Sequence, residues 1–207
     1  MAADRAAVLA WLSGLAATIV TDADDLSDFA ARAETANGLS SADFAAEALS
    51  LMQMIGESVA TRADFFAIVP PSVTDADTVS ATRILAAFGL ALGAGRVAWR
   101  SRPEARAGRA RLSATGDDGL AAASALGADG ADLYGWLSAV IAVSVRLVSE
   151  IAASATPMVR VETGLSLPST LLAHRLYGDA TRAGELVDGA GSDTPMLMPT
   201  RFEALAE

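Results

Sequence analysis

158-MVRVETGLSLPSTLLAHRLYGDATRAGELVDGAGSDTPMLMPTRFEALAE-207 holds denser turn chemistry than the rest of this chain. Met158–Glu162 alternates apolar and polar residues with period two, as a strand with one buried face does. Thr163-Gly164 breaks it. Pro168 falls in the first turn of the next segment, where a missing amide costs nothing. Leu171, Leu172 and Leu176 then share one face of a helix. Gly178 suits a left-handed helix exit. Asp179 is an N-cap whose carboxylate accepts amide hydrogens of the following turn. Ala183, Leu186 and Val187 give a second helix its apolar face, and Gly189 and Gly191 end it. Pro195–Pro199 is an apolar run between two prolines, which suits an edge strand. The order is strand, helix, helix, strand.

The run LPSTLLAHRLYGDATRAGELV at 167–187, with the proline-flanked run and Phe202-Glu203-Ala204-Leu205 after it, carries a resemblance. It closely resembles the C-terminus of the DNA-circularisation protein family of Mu-like phages. The likeness spans about residues 140–207 and is only compositional before that. It implies a component of a phage tail or baseplate that is not an enzyme. The strand–helix–Tyr-Gly-Asp–helix–strand order is also similar to LysM modules, which recur in phage tail proteins as docking domains. Longer relatives carry a β-rich N-terminal domain, whereas this chain opens on a helical pattern. A ring-forming role of that domain is therefore not carried over.

The 207 residues leave room for one or two domains with a real core. Hydrophobic residues make up 52%, yet aromatics only 5%. An alanine-rich, aromatic-poor chain favours closely approaching helices over a large sheet core. Without cysteine there is no disulfide framework and no thiolate metal site. No cofactor is implied.

The first two-thirds predict helices. One runs from about Asp4 to Val20 on Val8, Trp11, Leu12, Leu15 and Ile19. Thr21–Asp28 is an acidic start for a second, with Leu26 and Phe29 one turn apart, and Asn37-Gly38 is a turn. Ser40–Asp43 caps a third helix carrying Phe44, Leu51, Met52, Ile55 and Val59. Pro70-Pro71 stops the chain. Thr74–Asp77 reads as a capping box for a helix bearing Val79, Ile84, Leu85, Phe88, Leu92 and Trp99. Glycines 89, 93 and 95 weaken that helix by about 1 kcal/mol each, which predicts close packing against a neighbour. Leu120–Leu126 is a short helical piece. Asp129–Ser154 is a long one with Trp136, Val140, Val143, Leu147 and Ile151 inward. The expected fold is mainly α: a bundle-like helical domain at 1–156, with an Arg-rich mobile loop at 100–119, and a LysM-like βααβ module at 157–207.

A membrane span needs roughly 20 consecutive apolar residues. Ala6–Thr21, Ile84–Gly95 and Leu133–Val145 are shorter and bounded by charge, so no span is expected. Met1–Arg5 and Thr21–Asp25 lack the features of a secretory leader.

All fifteen basic residues are arginine, and the formal net charge is −10, which argues against nucleic acid as a partner. Against that background Arg96, Arg100, Arg102, Arg106, Arg109 and Arg111 face only Glu104 between residues 96 and 111, a local net of +5. Such a segment binds either polyanions or the acidic surface of its own fold or of a neighbouring subunit. The aromatic platform that bases require is missing beyond Trp99, which favours the second reading. The single histidine, His174, cannot build a metal cluster from one chain. No Gly-x-Ser-x-Gly elbow presents a serine to it. Asp179 and Glu185 read as a cap and a helix-surface residue rather than a hydrolytic carboxylate pair.

Three functions follow. The first is a virion structural protein that works by assembly with other tail and baseplate proteins, as part of a symmetric homo- or hetero-oligomer. It would be found in the virion and, during assembly, in the host cytoplasm. The second is a peptidoglycan-binding LysM-type module, with Tyr177 almost alone as a groove aromatic. The third is a DNA-end-binding protein working through the residue 96–111 segment. The tentative interaction residues are those six arginines with Tyr177 and Asp179.

Overall fold

A computed structural model describes residues 3–206. Among these the chain is mainly helical, with nine α-helices and one small two-stranded antiparallel sheet. It divides into two compact units. One comprises the residues up to Trp99 together with Arg106–Ile151; the other comprises Arg100–Ala105 together with the residues from Ala152 onward.

The first unit contains α1 (Arg5–Ile19), α2 (Ala23–Ala36), α3 (Ser41–Ser58), α4 (Arg62–Ala67) and α5 (Ala76–Gly93). It also holds most of α6 (Arg102–Ser124) and of α7 (Ala131–Ser154). Side-chain oxygens start the helices where orphan amides need acceptors. Asp4 accepts from the Ala7 amide, Asp22 from Asp24 and Asp25, and Ser40 from Asp43. The expected box at Thr74–Asp77 resolves differently: Asp75 is the cap, accepting from the Thr78 amide and hydroxyl. Those two bonds, the hydroxyl first, hold the Asp75 carboxyl below its ordinary value. The reciprocal box belongs to Thr61 and Asp64 at the start of α4, a helix the sequence reading passed over.

Glycines set the α3–α5 distance, as expected. A Cβ on Gly89 would stand 1.9 Å from Met52 Cε, and one on Gly93 3.0 Å from a Val59 methyl. From the other side, a Cβ on Gly56 would meet the Gly89 carbonyl oxygen at 3.0 Å. α5 ends at Gly93 rather than running on to Trp99, and Gly95 lies beyond it in a turn.

Residues 100–119, expected as a mobile loop, are helix from Arg102 onward, and Leu120–Leu126 largely continues it to Ser124. Its buried positions are Ala105, Gly108, Leu112, Gly116, Gly119 and Ala122–Ala123, spaced three and four apart until the last pair. Small side chains occupy nearly the whole inner stripe, so the apolar signal that marks a helix is faint. The glycines are seats for neighbours: Gly108 lies under the Trp99 ring, Gly116 under Ile141 and Gly119 against Ala87.

α7 turns the other way from the expected orientation. Its buried side is Leu137, Ile141, Ser144, Val148 and Ala152. Trp136, Val143 and Leu147 are exposed, and Val140 and Ile151 half-buried. Ser144 explains the choice, because its hydroxyl donates to the Ala91 carbonyl at 2.7 Å, a contact that requires close backbones. Among the described residues, the stretch Gly127–Ser154 is long and apolar enough to cross a membrane, more than its uncharged run suggested.

In the second unit β1 (Met158–Glu162) pairs antiparallel with β2 (Arg201–Leu205), from Met158 opposite Leu205 to Glu162 opposite Arg201. Between them lie α8 (Ser169–Tyr177), a 3-10 turn at Ala180–Arg182 and α9 (Ala183–Ala190). The second strand is therefore not Pro195–Pro199. Two prolines within five residues leave too few amides for a ladder, whereas 201–205 places Phe202 and Ala204 inward and Arg201 and Glu203 outward. The core is Leu172, Ala173, Tyr177, Leu186, Met198, Phe202 and Ala204. Leu171, expected on the inner face of α8, is exposed, and Val159 of β1 is also exposed.

Candidate functional site

The six arginines do not form one patch. Helical periodicity puts Arg102, Arg106 and Arg109 along one side of α6 and Arg111 on another. Arg96 is exposed in the turn after α5. Arg100 is exposed 3.9 Å from the Asp188 carboxylate, and its amide donates to Glu104. Arg102 reaches the Ala153 carbonyl at 3.4 Å near the end of α7. Arg106 and Arg109 point to solvent.

Arg111 has a structural task. One guanidinium nitrogen donates to the carbonyls of Ile68 (2.7 Å) and Phe66 (3.3 Å), and the group lies 5.2 Å over the Phe66 ring. It closes the end of α4, whose last carbonyls lack helical partners. Burial pulls its pKa down, although it stays charged. Arg111→Ala is expected to cost about 1–3 kcal/mol, because two carbonyls lose a charged donor. Arg106→Ala and Arg109→Ala should stay within about 0.5 kcal/mol. Urea denaturation followed by circular dichroism checks the contrast, and equal effects at the three positions would refute it.

The Tyr-Gly-Asp turn is built from local needs. Gly178 is left-handed (φ 67°, ψ 1°), and its amide donates to the His174 carbonyl. Asp179 accepts from the Thr181 hydroxyl (2.7 Å) and amide (2.8 Å). Those bonds, the hydroxyl first, hold its carboxyl below the ordinary value. Glu185 bonds Arg182, whose guanidinium lies 3.9 Å above the Tyr177 ring. Tyr177 is 9% exposed and belongs to the core, so its ring offers no open stacking face. His174 is on the exposed side of α8. Among the described residues no group of three or more acidic or histidine side chains is placed to hold a metal ion.

What the sequence reading missed is an apolar edge on the second unit. Residues 163–169 run beside 195–200, joined by Thr163 N to Thr200 O (2.8 Å), Met198 N to Leu167 O (3.1 Å) and Ser169 N to Pro195 O (2.7 Å). Ser166 Oγ adds a bond to Met198 O at 2.6 Å. These bonds turn Leu167 and Met198 inward and leave Leu165 73%, Met196 67% and Leu197 65% exposed. The only sequence signal was the proline-flanked run itself.

No family model matches this chain, and no curated protein matches it.

Proposed function

We propose that the protein is a structural component of a phage tail or baseplate, acting by protein–protein assembly without catalysis. The βααβ unit is read as its LysM-like docking module. The observation that carries the reading is the apolar edge of Leu165, Met196 and Leu197, held out by backbone hydrogen bonds on two adjacent segments. Large apolar side chains grouped on one surface mark interaction sites, whereas scattered ones do not. The local chemistry supports the same view, since Asp179, Glu185 and Arg182 are occupied with one another and with the turn. A glycan groove would want an accessible aromatic, and Tyr177 lies beneath Arg182.

Immunogold electron microscopy of particles from a producing culture is expected to place the protein on the tail. Leu165→Glu with Leu197→Glu should leave the circular dichroism spectrum unchanged and cut incorporation about tenfold. The reading falls if the protein never sediments with particles. It also falls if the double variant incorporates as the wild type does.

A further inference from the structure

The most apolar 18-residue window of Gly127–Ser154 is only 28% buried in the fold. A helix that is apolar on the core of its own domain should be polar on the other side, and α7 is not. Its uncovered side is arranged symmetrically about Ala139. Three residues away stand Trp136 in one direction and Ala142 in the other. Four away stand Val143 and Gly135, and eight away Leu147 and Ala131. Seven away stand a carboxylate, Asp132, and a guanidinium, Arg146. These steps keep all of them on the face of Ala139, and all nine residues are exposed.

The pattern is self-complementary. An identical helix laid antiparallel across a two-fold axis at Ala139 meets each bulky side chain with a small one and each charge with its opposite. The hollow is open, since a Cβ on Gly135 would meet nothing within 4 Å. Val143, which falls opposite it, is 69% exposed. Trp136 rests on Phe88 of α5 with ring centroids 4.9 Å apart, so this knob is held before a partner arrives. Arg146 holds Glu150 on its own helix at 3.0 Å through Nε, and a guanidinium with five donors serves a second carboxylate. The net charge of −10 on each copy is screened beyond about 8 Å at physiological ionic strength, whereas the crossed pairs are in contact.

Lipid is the rival cover for an apolar helix face. Asp132 and Arg146 lie about 21 Å apart along the helix at 1.5 Å per residue. A hydrocarbon layer about 30 Å thick would take in both charges and offer neither a partner. A second copy pairs both.

We infer that α7 is a self-association helix. The protein pairs with a second copy of itself through an antiparallel α7–α7 contact centred on Ala139, with Asp132 of each copy against Arg146 of the other. The contact is separate from the Leu165 edge, so either can fail without the other.

Sedimentation velocity of the full chain is expected to show a monomer–dimer equilibrium that is half dissociated at or below about 10 μM. Gly135→Leu fills the hollow opposite Val143 while touching nothing else in its own fold. It should weaken dimerisation at least about tenfold and leave the circular dichroism spectrum unchanged. Asp132→Arg and Arg146→Asp each set like charges against one another across the axis, and each should weaken self-association at least about tenfold. An equimolar mixture of those two variants should regain dimers, because one copy then presents only positive charge and the other only negative. The inference is overturned if the wild type stays monomeric up to about 1 mM. It is overturned equally if Gly135→Leu dimerises as the wild type does, or if the mixture associates no better than its components. Dimers lost on Leu197→Glu instead would place the contact on the other unit and overturn it. Flotation with phosphatidylcholine vesicles in place of dimers, lost on Val143→Glu, would assign the face to lipid and also overturn it.

Discussion

Phe65→Ala is expected to cost about 3–5 kcal/mol, the usual loss for emptying a fully buried aromatic site. Phe65 has no exposed surface. Its ring meets Phe66 edge-on at 5.6 Å and Trp99 edge-on at 5.3 Å. Such pairs add about 0.5–1.5 kcal/mol beyond their area. Trp99 in turn donates to the Ala94 carbonyl at 3.1 Å and covers Gly108 of α6. The truncation therefore removes the support of the ring on which α6 rests. Against a typical margin of 5–15 kcal/mol, that is a large share of the stability of a domain. Urea denaturation read by circular dichroism and tryptophan emission measures it, with a red shift expected as Trp99 gains water. Phe65→Leu keeps most of the volume and should cost less than about 1.5 kcal/mol. A loss below about 1 kcal/mol for the alanine variant would show that the aromatic cluster is not the anchor described.

Gly89→Leu and its partner change Met52→Ala are both expected to destabilise the protein, because α3 and α5 approach through glycine. The new Cβ alone would overlap Met52 Cε and press on its Cγ and Sδ at 3.2 Å. Met52 is fully buried, so its flexible end has nowhere to swing. Overpacking of this kind costs about 1–3 kcal/mol or more, which outweighs the roughly 1 kcal/mol that leaving glycine returns to the helix. Met52→Ala alone should cost about 2–5 kcal/mol by opening a cavity. The pair together should lose less than the sum by about 0.5–3 kcal/mol, since each change relieves the other. Strict additivity would place Gly89 and Met52 out of contact and remove the close approach of the two helices.

The same contrast between side-chain volume and backbone proximity explains what could be read in the sequence. α1 and α3 were legible because large residues such as Leu12, Leu51 and Ile55 mark their inner faces and Asp4 and Ser40 mark their starts. β1 and the left-handed Gly178 were legible from alternation and turn chemistry. α6 was not, because its inner stripe is Ala105, Gly108, Gly116 and Gly119 with one leucine, while its arginines advertise a solvated loop. α4 was too short at six residues to show a period. α7 carries two apolar stripes, and periodicity favours the bulkier one. The structure buries the side with Ser144 and Ala152, where small side chains let backbones meet. The candidate site divides likewise. Asp179 was read correctly as a cap, but nothing local to Arg111 announced the Phe66 and Ile68 carbonyls more than forty residues upstream. Nor did any motif mark the segments carrying Leu165 and Leu197 as neighbours, because only the hydrogen bonds between those segments bring them together.

The antiparallel register brings the first and last residues of the βααβ segment side by side, with the Ala206 amide donating to the Pro157 carbonyl at 2.8 Å. A tension applied between residues 157 and 206 would load that rung first and the Met158–Leu205 pair next, each bond bearing the force alone. Peeling in series resists far less than shearing all rungs at once. The segment would thus behave as a mechanical fuse, opening at low pulling force and re-zipping when slack returns.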